Sequence, residues 1–493
     1  MIALNGRGVA LLLAAGICTF LVLIGLFWVG FLGSDDSLYW AGSGGWLGHI
    51  PFLGGTHWAL RHTLVIPMAI ARAVLGDGPL ALLLPSLLYS IGVLVLVAVW
   101  INRTTGLPAA AAALALVVTN PQFVMLSSIA NIDITECFFI LVALALIHRA
   151  LDQQAQRSSR QIRVLLLLAG VSCGLGMLSR ETSAFAMVAV GLLFLAGYST
   201  SRVNYLFTAA GFAAVVGLEF AYDWWMSGDF LYRLTISLHH DITIDRRLEQ
   251  GASVPLLHPV IDPLTMLLFN HNFGLLAWIG VPLAIWLIRR GDLTGQARRL
   301  VVLAITVGLA WTILAAAAWT ELNLAPRYFL LPSLLLSLLS GMALANLWRR
   351  GARRPVVALS ALLIGANLLS ASIDYRNTAM YGERVLVDIA TREPGPIHTD
   401  TETLARASLL LRWSGLTGRV TDAPPGPGDL FFFNPGRATE TPGHDWTVVE
   451  RHGLGSSIGQ SLAAHLLPAG TLSSAQWTRL GRGHPDVTLY RLP

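Results

Sequence analysis

The chain is 493 residues long, 54% hydrophobic and only 12% charged, with a mean hydropathy of +0.62. Soluble domains carry about 25% charged residues, so the composition excludes an ordinary soluble protein and describes one dissolved in lipid. The net charge of +5 and pI near 9.4 call for no nucleic-acid partner, because the basic residues are all arginine and their densest clusters lie in short loops between apolar runs.

The first apolar run, Val9 to Leu32, is too long for a signal-peptide core and has no small-residue cleavage site after it, so it reads as a retained anchor. An acidic pair, Asp35-Asp36, follows directly at the membrane exit in FWVGFLGSDDSLYW. Next come an amphipathic stretch, Leu38 to Leu47, and the pairs His57-Trp58 and Arg61-His62, a segment suited to lying along the membrane surface. Further apolar runs lie near 79–101, 108–127, 132–150, 163–179, 183–198, 204–222, 264–288, 300–318, 328–348 and 355–373. Each approaches the ~20 residues a helix needs to cross about 30 Å of hydrocarbon. Backbone groups in lipid must pair internally, which makes these runs helices and brings the expected number of crossings to about eleven.

Arginine-dense loops at 149–163 (including Arg157), 289–299 and 349–354, with Arg7, Arg103 and Arg202, share one parity. Positive residues stay on the cytoplasmic side. The N-terminus is therefore expected inside, and 33–78, 223–263 and everything after 374 outside. Cys18, Cys137 and Cys173 lie within apolar runs and suit packing more than metal or disulfide chemistry.

After Ser372 the apolar runs stop. Thr401 to Ser414 has helical spacing with Thr401 as N-cap, and PIHTD, DLFFFN, WTVVER and VTLYRL read as short strands. The expected architecture is an all-α polytopic membrane unit, residues 1–375, followed by a small α/β extracytoplasmic domain, residues 376–493. No internal repeat is visible, which counts against a transporter built from duplicated halves.

Chemistry gathers on the outer side. Two adjacent carboxylates repel, which raises the proton affinity of at least one and makes it a better base near neutral pH. They are also hard oxygen ligands, so a divalent cation at Asp35 and Asp36 is an open alternative; no other spacing argues for a protein metal site. Arg180 and Arg327 each sit at the outer end of an apolar helix beside an acid, Glu181 and Glu321, and are the leading phosphate ligands. Their bland alternative is anchoring at the headgroups or pairing with that acid. Arg61 and His62 come next, and His57 is placed to meet a sugar, a metal or simply a hydrogen-bond partner. Asp133 and Glu136 open a helix, where they favour its dipole. The segment with Asp223, Asp229, His239, His240, Asp241 and Asp245 is either an acceptor-binding surface or a solvated loop.

The order of these motifs is similar to a known family. The acidic pair, Tyr39-Trp40, an amphipathic helix ending in glycine and a histidine–aromatic turn before a leucine resemble the first outer loop of the GT-C membrane glycosyltransferases. SRET (Ser179 to Thr182), NHNFG (Asn270 to Gly274) and APRYFLLP (Ala325 to Pro332) extend the resemblance, within that class, to the bacterial dolichyl-phosphate-mannose–protein mannosyltransferase and aminoarabinose transferase branch. Two positions depart from its pattern: Asp35-Asp36 stands for Asp-Glu, and His57-Trp58-Ala59-Leu60 for His-Pro-Pro-Leu. The resemblance implies a GT-C fold and inverting transfer of a sugar from a polyprenyl phosphate to a hydroxyl of a glycolipid, glycan or protein outside the cytoplasmic membrane of a bacterium. It implies Asp35 as base, with Asp36 as its partner in orientation or metal contact. It also implies Arg180, Arg327 and Arg61 as donor-phosphate ligands and His57, His62, Tyr39, Glu181 and Tyr328 as substrate contacts. Two other classes stand beside it: a transporter or flippase for lipid-linked saccharide, for which Glu219 and Asp223 are the nearest mid-helix charges, and a polysaccharide polymerase.

Overall fold

The computed structural model describes residues 2–153, 158–242, 261–317, 325–374, 380–438, 442–468, 470–474, 477 and 485–493. Arg157, Asp245 and Glu321 lie outside the described residues, as do the side chains of His239, His240 and Asp241. The chain begins with α1 (Ile2–Leu26), α2 (Asp35–Gly48), α3 (His62–Leu75), α4 (Pro79–Thr105), α5 (Leu107–Val118), α6 (Pro121–Ser127) and α7 (Ile132–Asp152). It continues through α8 (Ser159–Met177), α9 (Ala184–Ala196), α10 (Arg202–Ser227), α11 (Tyr232–Ile242), α12 (Ile261–Phe269), α13 (Val281–Arg290), α14 (Gly295–Ala317), α15 (Leu330–Arg349) and α16 (Arg353–Asp374).

Eight helical segments among the described residues are long and apolar enough to cross a membrane: α1, α4, α7, α8, α10, α14, α15 with the turn before it, and α16. They become nine if α5 and α6, bent by 62°, form one broken span. The chain is thus a multi-pass membrane protein. Two of the eleven expected runs take other forms. Run 183–198 gives only the short α9 after a 3₁₀ turn, Glu181–Ser183. Run 264–288 breaks into α12, a 3₁₀ turn at His271–Phe273, a π-turn at Leu276–Gly280 and α13. The break centres on Gly274, whose φ of +53° favours glycine and whose Cβ would meet Asn367 Oδ1 at 2.8 Å. NHNFG therefore opens this break.

The first run is shortened as well. α1 stops at Leu26, because Gly30 and Gly33 take left-handed φ values of 72° and 63° and turn the apolar Trp28–Leu32 into a loop. The acidic pair does not follow the first helix without a spacer; residues 27–34 intervene, and Asp35 opens α2.

Close helix packing rests on small residues, as is usual in lipid. Where α8 meets α10, a Cβ on Gly170 would lie 1.9 Å from the Thr208 carbonyl oxygen, and one on Gly211 would lie 2.1 Å from that of Leu167. Between α5 and α15, a Cβ on Gly341 would sit 2.4 Å from the Ala113 nitrogen. α15 is the buried strut of the bundle, whereas α1 lies at its edge.

The C-terminal part holds α17 (Tyr381–Arg392), α18 (Thr401–Trp413), α19 (Ile458–Leu466) and the strands β1 (Ile397–Thr399), β2 (Val420–Thr421), β3 (Leu430–Phe433), β4 (Thr447–His452) and β5 (Val487–Arg491). The sheet runs β2-β1-β3-β5-β4, with β1 parallel to both neighbours and β5 antiparallel to both of its own. All four expected strands are present, and β2 is the addition. The cap of α18 is Asp400, whose carboxylate accepts the Thr403 N–H at 2.8 Å, one residue before the expected Thr401. Leu386, Ile389, Ile397, Leu411, Phe432 and Leu489 form a core of their own.

This unit grips the loop that follows α1. The Trp413 ring stands edge-on to Phe31 and Trp40 at 5.4 and 5.3 Å between centroids. Arg384 donates to the Val29 carbonyl at 2.8 Å, a Cβ on Gly33 would meet Met380 Sδ at 2.6 Å, and Arg412 pairs with Asp77.

Candidate active site

The first turn of α2 presents two carboxylates in unlike surroundings. Asp36 is 2% exposed and wholly engaged by backbone: Oδ2 accepts the Leu32 N–H at 2.6 Å, while Oδ1 accepts those of Ser34 and Ser37 at 2.8 and 3.0 Å. Burial raises its carboxyl above the ordinary value; the three N–H donors pull the other way, and the Asp35 charge adds a further rise. Asp35, by contrast, has a side chain 36% exposed. Its Oδ1 accepts the Trp58 indole N–H at 3.1 Å, and its Oδ2 faces an Arg327 Nη1 at 3.5 Å. Asp36 ties the loop to the helix, and Asp35 is the carboxylate open to a reactant.

The arginines differ in the same way. Arg327 comes from the 3₁₀ turn Pro326–Phe329 that leads into α15. Its side chain is 40% exposed, its contact with Asp35 is long for a charge-assisted bond, and its buried Nε has no partner among the described residues. Arg180, in the turn between α8 and α9, is 8% exposed, bonded to Asp133 and laid over the Tyr328 ring with its guanidinium carbon 4.0 Å from the centroid. Its acid is therefore Asp133 and not its sequence neighbour Glu181. Asp133 does more than favour the α7 dipole: it balances Arg180 and accepts the Asn131 side-chain amide at 3.1 Å. Glu136 accepts the hydroxyls of Thr182 and Ser183 at 2.6 and 2.9 Å.

Glu181 lies between two arginines, paired with Arg61 on one oxygen and with Arg233 at 3.2 Å on the other. Arg233 also reaches Glu219 at 3.3 Å and the Leu60 and Met177 carbonyls at 2.9 and 2.8 Å. His62 Nδ1 lies 3.1 Å from Glu219, with Trp46 and Tyr222 edge-on to its ring. This buried network joins the loop before α3 to α9, α10 and α11. Arg233 carries no signal of its role in the sequence; the network's one visible sign there is Glu219, an acid inside the apolar run 204–222. Asp223 belongs to the same network, accepting the Arg233 backbone N–H at 3.2 Å, while Asp229 accepts the Leu231 N–H at 2.9 Å in an exposed turn.

Tyr39 is 3% exposed, its phenol pushed up chiefly by burial and then by the Asp35 charge, so it stays protonated. The His57 ring lies 3.7 Å from that of Trp58 between centroids, behind the indole that holds Asp35. Asp35, Tyr39, Trp58, Arg180, Arg327 and Tyr328 are thus brought together. Arg61, His62 and Glu181 form the adjoining network and are largely consumed by it.

The acidic pair offers few open donors to a divalent cation. Both oxygens of Asp36 are occupied by N–H donors, the partners of Asp35 are an indole N–H and a guanidinium, and no cluster of three His, Cys, Asp or Glu side chains occurs among the described residues.

Residues 62–221 match the family described as dolichyl-phosphate-mannose-protein mannosyltransferase. That stretch holds Asp133, Arg180, Glu181 and Glu219 and leaves out Asp35 and Arg327. Among solved structures, ArnT from Cupriavidus metallidurans in the apo state aligns with a TM-score of 0.54 at 12% identity over 99% of this chain and 98% of that one. Its form bound to undecaprenyl phosphate gives 0.53 at 12% identity over 98% and 97%. The Archaeoglobus fulgidus oligosaccharyltransferase, in complex with zinc and sulfate, gives 0.52 at 15% identity over 80% of this chain. The chain spans only 61% of that protein's length. A comparison with curated protein sequences gives no match. At such identities the likeness is one of fold, and the fold is GT-C, as the resemblance of the sequence implied.

Proposed function

We propose that the chain is an inverting glycosyltransferase that moves a sugar from a polyprenyl-phosphate donor to an acceptor hydroxyl at the outer face of the bacterial cytoplasmic membrane. The observation that carries this reading is the half-exposed Asp35 carboxylate, held between the Trp58 indole and the Arg327 guanidinium at 3.1 and 3.5 Å. In the proposed step, Asp35 takes the proton of the acceptor hydroxyl as its oxygen attacks the anomeric carbon. The bond from that carbon to the phosphate oxygen breaks on the opposite face, inverting the centre. The lipid phosphate leaves with the electron pair, its charge met by Arg327, whose planar fork suits two phosphate oxygens. Phosphate arriving at Arg327 also releases Asp35 from its long ion contact. Tyr39 and Tyr328 line the approach. Arg180, Arg61, His62 and Glu181 act one layer behind, setting the shape of the site. Family and fold matches support a lipid-phosphate donor, and ArnT has been crystallised with undecaprenyl phosphate.

In this reading α9 and the broken 261–290 segment also cross, giving eleven passes. Residues 1–375 form the membrane unit, and 376–493 form a periplasmic α/β domain. The test is Asp35→Asn, which keeps size and loses the base. Turnover of a polyprenyl-phosphate sugar by purified protein is expected to fall at least about a hundredfold while donor binding persists. Near-normal turnover would remove the assignment.

A further inference from the structure

A cavity of about 530 Å³ lies at the end of the bundle opposite Asp35, where the last three turns of α4 and α7 run side by side. It has two chemically distinct parts. Leu96, Val99, Val142 and Leu146 form an apolar trough, all of them half-buried. Arg103 and Arg149, each in the last turn of its helix, form the rim. Leu96 and Arg103 are seven residues apart on one helix, so the trough rises about 10 Å from rim to depth at 1.5 Å per residue.

The surrounding charges leave the rim positive. Asp152, the acid in the lining, is bonded to Arg299 at 2.8 Å. The floor is neutral and closed: the Trp100 indole N–H donates to His148 Nδ1 at 3.1 Å, and His148 Nε2 lies 3.0 Å from the Gln296 carbonyl oxygen. With Nδ1 accepting, the proton sits on Nε2 and donates to that carbonyl, which fixes an uncharged imidazole. Arg149 makes one long bond, 3.4 Å, to the neutral Gln153, and Arg103 has no ion pair among the described residues.

We infer that this cavity is a binding site for one anionic phospholipid of the cytoplasmic leaflet, its acyl chain in the apolar trough and its phosphate between Arg103 and Arg149. Charge complementarity selects this occupant, because basic pockets between spanning helices on the cytoplasmic side match anionic headgroups. A free anion leaves the apolar trough unfilled, and a neutral lipid leaves the two guanidinium groups unmatched. The site is separate from the proposed transfer chemistry, lying at the far end of α4 and α7.

The test takes the full chain purified in detergent, titrates it with phosphatidylglycerol or phosphatidylcholine, and counts retained lipid by native mass spectrometry. One phosphatidylglycerol is expected to bind in preference to phosphatidylcholine. Its affinity is expected to fall about fivefold in R103A or R149A and about 25-fold in the double variant, at roughly 1 kcal/mol per basic residue near the headgroups. L146W, which fills the trough and keeps both arginines, is expected to lose the lipid at an unchanged unfolding temperature. R289A, in another basic loop, is expected to bind as wild type. Equal retention of the two lipids overturns the inference, as does unchanged affinity in the double variant or displacement by millimolar inorganic phosphate. The readout is bound lipid and not turnover, so its failure leaves the transferase reading standing, and the reverse also holds.

Discussion

Arg180 and Arg327 stand alike in the sequence and unlike in the fold, and alanine at each separates stability from donor binding. Arg180→Ala leaves Asp133, itself 2% exposed, with the Asn131 amide in place of a guanidinium. Removing one partner of a buried pair costs about 3–5 kcal/mol. Arg327 gives up a 3.5 Å contact between side chains 40% and 36% exposed, worth at most about 1 kcal/mol of stability. If it holds the lipid phosphate, however, its loss removes a charge-assisted bond worth about 1.5–3 kcal/mol, a roughly 10- to 100-fold fall in donor affinity. Lysine should restore little of that, since it offers a point charge and no fork. Thermal unfolding in detergent and titration with a polyprenyl phosphate read the two quantities independently. The expected pattern is a large drop in unfolding temperature for Arg180→Ala and a large drop in affinity for Arg327→Ala. Wild-type affinity in Arg327→Ala, or lost affinity at unchanged unfolding temperature in Arg180→Ala, refutes the division of labour.

Three further outcomes follow from the same geometry. Burial raises the Asp36 carboxyl above its unfolded value of about 3.9. Its contribution to stability is therefore whole below that pH and lost as pH rises through the folded value. The unfolding temperature of wild type minus that of Asp36→Asn should shrink as pH rises from 4 to 7, and a gap that widens contradicts the burial argument. Gly170→Ala sets a Cβ 1.9 Å from the Thr208 oxygen and is expected to cost about 1–3 kcal/mol, against little change for Gly191→Ala, where nothing lies within 4 Å. Equal effects at both positions in an unfolding assay rule out close packing of α8 on α10. A phosphatase reporter joined after Pro493 should be active, as the arginine bias of alternate loops requires; a silent one reverses the topology.

Helix positions were legible wherever an apolar run was uninterrupted: α4, α7, α8, α10, α14, α15 and α16 each overlap an expected run and differ from it by a few residues at the ends. Hydropathy fails where backbone conformation decides. Trp28 to Leu32 is apolar yet non-helical because Gly30 and Gly33 turn it, and run 264–288 is broken at Gly274. The acidic pair and the arginines were visible as residues, but not their partners. Arg180 and Glu181 are adjacent in sequence, yet the extended Arg180 backbone sends the guanidinium to α7 while Glu181 turns toward Arg61 and Arg233. Pairings across 47, 120 or 292 positions have no local signature.

The grip of the C-terminal unit on the loop after α1 bears on biogenesis. Residues 27–36 are made well before residues 380–413, so Val29 waits for Arg384, Phe31 for Trp413 and Gly33 for Met380. The nascent protein thus carries its carboxylates long before it can aim them. The acidic turn can therefore complete its packing only after residues 380–413 have been made. For the same reason residues 27–34 and 380–413 form one heritable piece: a chimera that exchanges the sheet without the loop inherits two surfaces shaped for other partners.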